Sequence, residues 1–175
     1  MYKEKLESIL KDKETMDVLY QVFFEMFFNI DLKIKKLDER AIIPKYGSEG
    51  AAGFDLNCVL DVDKLNIHPG ETIKLETKLA MSIPKGYVGL IFARSGLGVK
   101  KGLAPANKVG VIDSDYRGNI IVALHNHSDE THTIENFERI AQMVVVPFAF
   151  VKFLEVDSLD DTERGDGGFG HSGRM

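Results

Sequence analysis

Hydrophobic and polar positions follow two different periods along the 175-residue chain. Up to residue 29 the apolar positions recur at helical spacing. Leu6, Ile9, Met16, Leu19, Tyr20, Val22, Phe23, Phe24, Met26 and Phe27 share a wide arc, with Glu14, Asp17, Gln21, Glu25 and Asn29 opposite. No Gly or Pro interrupts this stretch, and an amphipathic helix is predicted, laid on the rest of the chain or on a neighbouring subunit. From Ile30 onward the punctuation changes, with every Gly and Pro of the chain and β-branched runs between them. Strands are predicted over residues 31–35, 72–75, 87–92, 120–125 and 143–153, set apart by turns such as His68-Pro69-Gly70 and Pro84-Lys85-Gly86. Short strands at turn-marked intervals, without long helical patterns between them, indicate an antiparallel sandwich or barrel and disfavour a parallel α/β sheet. The final stretch starts acidic and ends rich in glycine, and is predicted to be a mobile tail. The expected division is a helical extension over 1–29, a β domain over 30–156 and a flexible arm over 157–175.

Composition narrows the function classes. With 44% hydrophobic and 28% charged residues, the chain is expected to form one globular domain rather than a fibrous or disordered segment. The net charge of -5, without a concentrated basic patch, gives no footprint for nucleic acid. Cys58 is the single cysteine, which excludes a disulfide framework and a multi-cysteine zinc site and fits a reducing compartment. Following the strand-like Gly53-Phe54-Asp55-Leu56, it reads as a small core hydrophobe rather than a nucleophile. Asp17, Gln21 and Glu25 interrupt the N-terminal apolar run, so neither a secretory signal nor a membrane span is expected, and the acidic polar face argues against a membrane-surface helix. The default location is the cytoplasm.

Three segments look chemical. Ala93-Arg94-Ser95-Gly96-Leu97-Gly98 directly follows a strand, and its backbone N–H groups, guanidinium and hydroxyl suit an anion, although a tight turn needs the same glycines. The run from Gly110 through Asp113, Asp115, Tyr116 and Arg117 to Gly118 reads as a β-hairpin. A carboxylate near its bend could take a proton from water, or simply face solvent. Arg164 and the glycines around Phe169 have the grammar of a phosphate clamp with a stacking aromatic, or of a loose tail. Together, two anion-binding segments and a carboxylate on a hairpin, with no metal cage and no Ser-His pair, suggest hydrolysis of a nucleotide polyphosphate.

Five segments, in order, resemble the motifs of the homotrimeric dUTPases. They are Ala51-Ala52-Gly53-Phe54-Asp55-Leu56; Ala93-Arg94-Ser95-Gly96; Gly110 to Gly118; Glu138-Arg139-Ile140-Ala141-Gln142-Met143; and Arg164 to Gly173. The resemblance covers residues 31–175 and leaves the N-terminal helix, with an unknown partner, unassigned. It implies an all-β, jelly-roll-like barrel assembled as a trimer with active sites shared between subunits. It further implies hydrolysis of dUTP to dUMP and pyrophosphate, limiting uracil in DNA and supplying dUMP for thymidylate, with Mg2+ held chiefly by the triphosphate.

By that resemblance Asp113 activates the attacking water, Tyr116 excludes a ribose 2′-hydroxyl, and Asn107, Gly110, Val111, Ile112 and Ile121 recognise uracil. Arg94, Ser95 and Gly96 cradle the phosphates, Ser95 donating to the α–β bridging oxygen, and Gln142 contacts phosphate. From the arm, Arg164 reaches the γ-phosphate and Phe169, beside Gly170, stacks on the base. Asp55 orders magnesium-bound water without ligating the ion, and Arg139 braces the interface. Ala93 replaces a proline common in relatives, a change expected to matter little. The rival implications are a dCTP deaminase-like or bifunctional enzyme, which shares the fold and trimer, and a non-catalytic nucleotide-sensing trimer.

Overall fold

The structure, a computed structural model, describes residues 12–168. Leu6, Ile9, Phe169 and Gly170 lie outside them. Helix α1 (Lys13–Phe28) starts where the Asp12 side chain accepts a hydrogen bond from the Thr15 N–H at 3.2 Å, an N-cap that satisfies one of the first-turn donors. Val18, Leu19, Tyr20, Val22, Phe23 and Phe24 along it are all more than a third exposed. Among the described residues no helix is long and apolar enough to cross a membrane.

The remainder is mostly β. The strands are β1 (Lys33–Lys36), β2 (Phe54–Asn57), β3 (Lys64–Ile67), β4 (Thr72–Glu76), β5 (Leu79–Ser82) and β6 (Tyr87–Phe92). After α2 (Ser95–Lys101) come β7 (Leu103–Pro105), β8 (Gly110–Ile112), β9 (Ile121–Asn126), β10 (His132–Glu135) and β11 (Arg139–Pro147). All pairings are antiparallel: β2-β11-β6-β8, β4-β9-β7, β1-β5 and β10-β3. Inner positions alternate with outer ones, and Leu56, Leu75, Leu79, Leu124, Ile140 and Met143 meet in one core from different sheets. The buried polar residues Thr77 and Asn126 are hydrogen-bonded. Asn126 donates to Ile67 O and Glu130 O and accepts from Ser128, tying β9 to β3 and the following loop.

Two boundaries differ from the sequence-based expectation. The last strand begins at Arg139 and stops at Pro147, instead of spanning 143–153. Proline brings no N–H to continue a ladder, and beyond it Phe150, Val151, Phe153 and Leu154 are exposed. The glycine-bearing segment after β6 is not a tight turn but a short helix, α2. Its first turn closes on the Arg94 carbonyl, Leu97 anchors it in the core, and Gly102 ends it with φ +63°. A left-handed C-terminal cap is the position where glycine is cheapest.

Cys58 sits in the core, 0% exposed, with its thiol donating to Glu135 O at 3.4 Å, and burial pushes its pKa up to about 11. The protonated thiol is therefore expected to resist alkylation by iodoacetamide at pH 8 in the folded protein and to react in denaturant. Rapid native modification, followed by mass spectrometry, would contradict its place in the core.

Candidate active site

The phosphate-side residues are gathered by strand register. Gln142 on β11 lies opposite Asp55 on β2 and Phe92 on β6, so all three point to the outer face of that sheet. Arg139 is three positions from Gln142, and regular alternation would send it to the opposite face. A β-bulge between Arg139 and Ala141 inserts an extra residue, turning Ile140 and Ala141 both into the core. Arg139, opposite Asn57, thereby joins Asp55 and Gln142 on the outer face.

Asp55 is the hub of this cradle. Its Oδ1 accepts from Arg94 Nε at 2.7 Å and its Oδ2 from Arg139 Nη1 at 3.0 Å, and Arg94 Nη1 also reaches the Arg139 carbonyl at 3.3 Å. The carboxylate side chain is only 20% exposed, so these charge-assisted bonds are partly shielded from water. Gln142 Nε2 donates to Ala93 O at 2.9 Å, fixing the chain just before Arg94. A Cβ on Gly53 would approach Gln142 Oε1 at 3.2 Å, so glycine leaves that amide its place. Ser95 and Gly96 open α2 with their N–H groups free of protein acceptors among the described residues, and a Cβ on Gly96 would meet open space. A hollow of about 250 Å³ continues the cradle past Asp55 and Arg139, walled by Ile42, Ile43 and Tyr46. These wall residues carried no signal in the sequence beyond being apolar next to a glycine-rich stretch.

The second group of predicted residues surrounds a separate cavity of about 180 Å³, lined by Val111, Ile112, Asp113, Tyr116, Asn119 and Ile121. The predicted hairpin is not one. β8 is the edge strand beside β6, while β9 pairs with β4 and β7, so the two arms splay into different sheets. That splay opens the cavity which a hydrogen-bonded hairpin would have closed. Asn107 and Gly110 do not line it but lie next to each other: a Cβ on Gly110 would lie 3.1 Å from Ile91 and 3.6 Å from the Asn107 amide nitrogen. The Asp113 carboxylate is exposed and has no protein hydrogen bond or ion pair among the described residues. Arg117 clamps the bend by donating to Ser114 O and Tyr116 O.

Gly118 has a steric role. A Cβ there would fall 2.4 Å from the Tyr116 hydroxyl and 2.6 Å from its Cζ, so the ring lies directly over the glycine. The hydroxyl donates to Asn119 O at 3.0 Å. Asn119 was not singled out in the sequence, because a polar residue after Gly118 reads as ordinary turn chemistry.

Cradle and cavity do not meet within one chain. Ile112 pairs with Gly89 near the start of β6, and Asp113 follows it; Arg94 lies past Phe92, at the other end of the same strand. At ~3.3 Å per strand residue this places Asp113 and Arg94 about 20 Å apart. Arg164 is brought to neither. It donates to Gly167 O at 2.8 Å within its own turn, where Gly165 has φ +53°.

A fold of antiparallel sheets carrying an arginine-lined cradle and a small nucleoside-sized cavity defines a class of nucleotide-binding β proteins, and comparison with known proteins gives the family. A dUTPase profile matches residues 39–173, so the chain belongs to the dUTPase family. It is 50% identical over 143 residues to the deoxyuridine 5'-triphosphate nucleotidohydrolase of Nautilia profundicola, covering 82% of this chain and 99% of that protein. The enzyme of the same name from Escherichia phage T5 is 47% identical over 143 residues, covering 79% and 96%. Among solved structures, a variant dUTPase of Staphylococcus bacteriophage 80alpha with dUpNHpp superposes with a TM-score of 0.74 at 30% identity, covering 82% and 98%. A variant dUTPase from phage phi11 of S. aureus, in a study of a coordinated structural Mg(II) ion, gives 0.66 at 26% identity, covering 74% and 98%.

The Asp55 hub yields a direct test. Asp55→Asn removes the charge that both guanidiniums share and is expected to cost about 1–3 kcal/mol of stability. Thermal unfolding at matched protein concentration measures it. Combined with Arg139→Ala the loss should be smaller than the sum of the two, and strict additivity would remove Asp55 from the centre of the cradle.

Proposed function

We propose that this chain is a homotrimeric dUTP diphosphatase of the cytoplasm, hydrolysing dUTP to dUMP and pyrophosphate, with the β domain closing as a jelly-roll barrel. The observation that carries the assembly is the roughly 20 Å between Asp113 and Arg94 along β6. A water activated at the α-phosphorus and a loop that binds the phosphates beside it must act within a bond or two of each other. The cavity of one chain therefore meets the cradle of a neighbour, and threefold closure makes three equivalent sites. The named relatives support the reaction, and the 80alpha structure with dUpNHpp supports a triphosphate of this kind as ligand. Nothing observed favours the deaminase or the purely sensing alternative.

In this reading uracil enters between the splayed β8 and β9, where the backbone of Gly110, Val111 and Ile112 and the side chain of Asn107 supply its polar partners. Cytosine would leave those groups unpaired, which is how such a site discriminates. Tyr116, folded over Gly118, fills the space a 2′-hydroxyl would need. The free carboxylate of Asp113 accepts a proton from water as the oxygen attacks the α-phosphorus, and pyrophosphate leaves in line. Ser95 and the N–H groups of Ser95 and Gly96 take up the charge developing on the leaving group, with Arg94 and Gln142 holding the loop that carries them. The arm of a neighbouring chain brings Arg164, Phe169 and Gly170 to close the site over γ-phosphate and base.

The cradle suits a hydrated magnesium ion. Each Asp55 oxygen accepts one guanidinium bond and keeps a lone pair for a metal-bound water, a better match to an ion that dehydrates reluctantly than direct ligation. When bound with the triphosphate, Mg2+ supplies neutralisation of the phosphate charge.

Pyrophosphate release from dUTP, UTP, dCTP and dTTP in parallel tests the reading: dUTP alone is expected to turn over efficiently, and no turnover of dUTP with Mg2+ would refute it. Asp113→Asn should lower kcat by about 10²–10⁴-fold while leaving nucleotide affinity close to wild type. Unchanged kcat in stopped-flow assays would remove Asp113 from its role.

A further inference from the structure

Behind the nucleoside cavity, at the end of β4, stands a group that neither the family motifs nor the mechanism uses. Glu76 Oε2 accepts from Asn119 Nδ2 at 2.8 Å and is itself ion-paired with Lys78. Among the described residues the Asn119 amide has no other hold: its Oδ1 is buried and accepts from no donor there, so Glu76 is the side chain that fixes its orientation. The same residue's backbone carbonyl anchors the Tyr116 hydroxyl at 3.0 Å, over the gap left by Gly118. Next along the chain, Thr77 N–H and Oγ1 both donate to Ile120 O, and Ile120 N–H donates to Leu79 O. The end of β4 and the turn into β5 thus grip residues 119–120 from behind, by side chain at Asn119 and by backbone at Ile120.

We propose that Glu76 is a positioning residue for sugar discrimination: by holding Asn119 it holds the carbonyl to which the Tyr116 ring is tethered. The chain of contact runs Lys78, Glu76, Asn119, Tyr116, with only the last of these reaching the sugar. Without the carboxylate, Asn119 keeps only the backbone hold at Ile120, so the carbonyl under the Tyr116 hydroxyl is less firmly fixed and the tyrosine ring gains freedom to leave Gly118. The space that excludes a 2′-hydroxyl then opens. This rests on the reading of the cavity as the nucleoside site.

The ratio of kcat/KM for dUTP to that for UTP is the readout, because a general loss of folding or of catalysis lowers both and leaves the ratio alone. Glu76→Ala is expected to reduce the ratio about three- to tenfold, the scale of one ordinary net hydrogen bond, mainly through a gain with UTP. Glu76→Gln keeps an acceptor for the Asn119 amide and should restore the wild-type ratio. In a Tyr116→Phe background, where the tether is already absent, Glu76→Ala should change the ratio no further. A wild-type ratio in soluble, folded Glu76→Ala, or full additivity with Tyr116→Phe, overturns the brace. If Glu76→Ala does not fold, Glu76→Gln decides: it keeps the acceptor and should keep the ratio, and a lowered ratio there overturns the brace as well. Failure of the wild-type protein to turn over dUTP overturns instead the reading on which the brace rests.

Discussion

The pairing of β11 with β2 and β6, and the bulge within it, is the constraint on which the arrangement of functional groups depends. Alternation along a strand would place Arg139 and Gln142 on opposite faces, and the extra residue brings them together beside Asp55. The same insertion turns Ile140 and Ala141 into the core, so the cradle outside and the packing inside are fixed by one irregularity. Asp55 then joins two guanidiniums that would otherwise repel. Their shared carboxylate holds a positively charged surface in place ahead of any ligand, which is the pre-organisation that binding a polyphosphate requires.

A second consequence of topology is that Asp113 and the cradle of the same chain stand apart, about 20 Å by strand register. β6 is a ruler between the two halves: its start lies beside Ile112 and Asp113, and its end leads into Arg94 and α2. In the proposed trimer, assembly therefore does more than stabilise the fold, since it is what would bring Asp113 of one chain to the cradle of another. The exposed apolar run after Pro147 fits the same logic. Phe150, Val151, Phe153 and Leu154 are left exposed among the described residues, which suits the proposed arm reaching a neighbouring chain.

Much of this was legible in the sequence. The helix, the antiparallel β class and the segments bearing Arg94, Asp113 and Gln142 follow from periodicity, turn residues and ordered motifs. What escaped was set by tertiary contacts. Ser95-Gly96-Leu97-Gly98 has the composition of a turn, and becomes helical because Leu97 finds a core position and Gly102 a left-handed cap. Residues 110–121 alternate as a hairpin does, yet each arm finds better partners in a different sheet. The bulge at Arg139 has no glycine or proline to announce it. Glu76 and Asn119, distant in sequence and unremarkable as residue types, acquire meaning only once β4 and β9 are in register.

Mixing two inactive variants tests the shared site most directly. Asp113→Asn and Arg94→Ala chains, each nearly inactive alone, are to be unfolded together, refolded and assayed for pyrophosphate release from dUTP. If Asp113 of one chain works with Arg94 of another, random hybrid trimers regain about a quarter of the wild-type sites. Activity no higher than that of the separate variants, with hybrid trimers demonstrated by mass spectrometry, would show that each chain carries a complete site of its own.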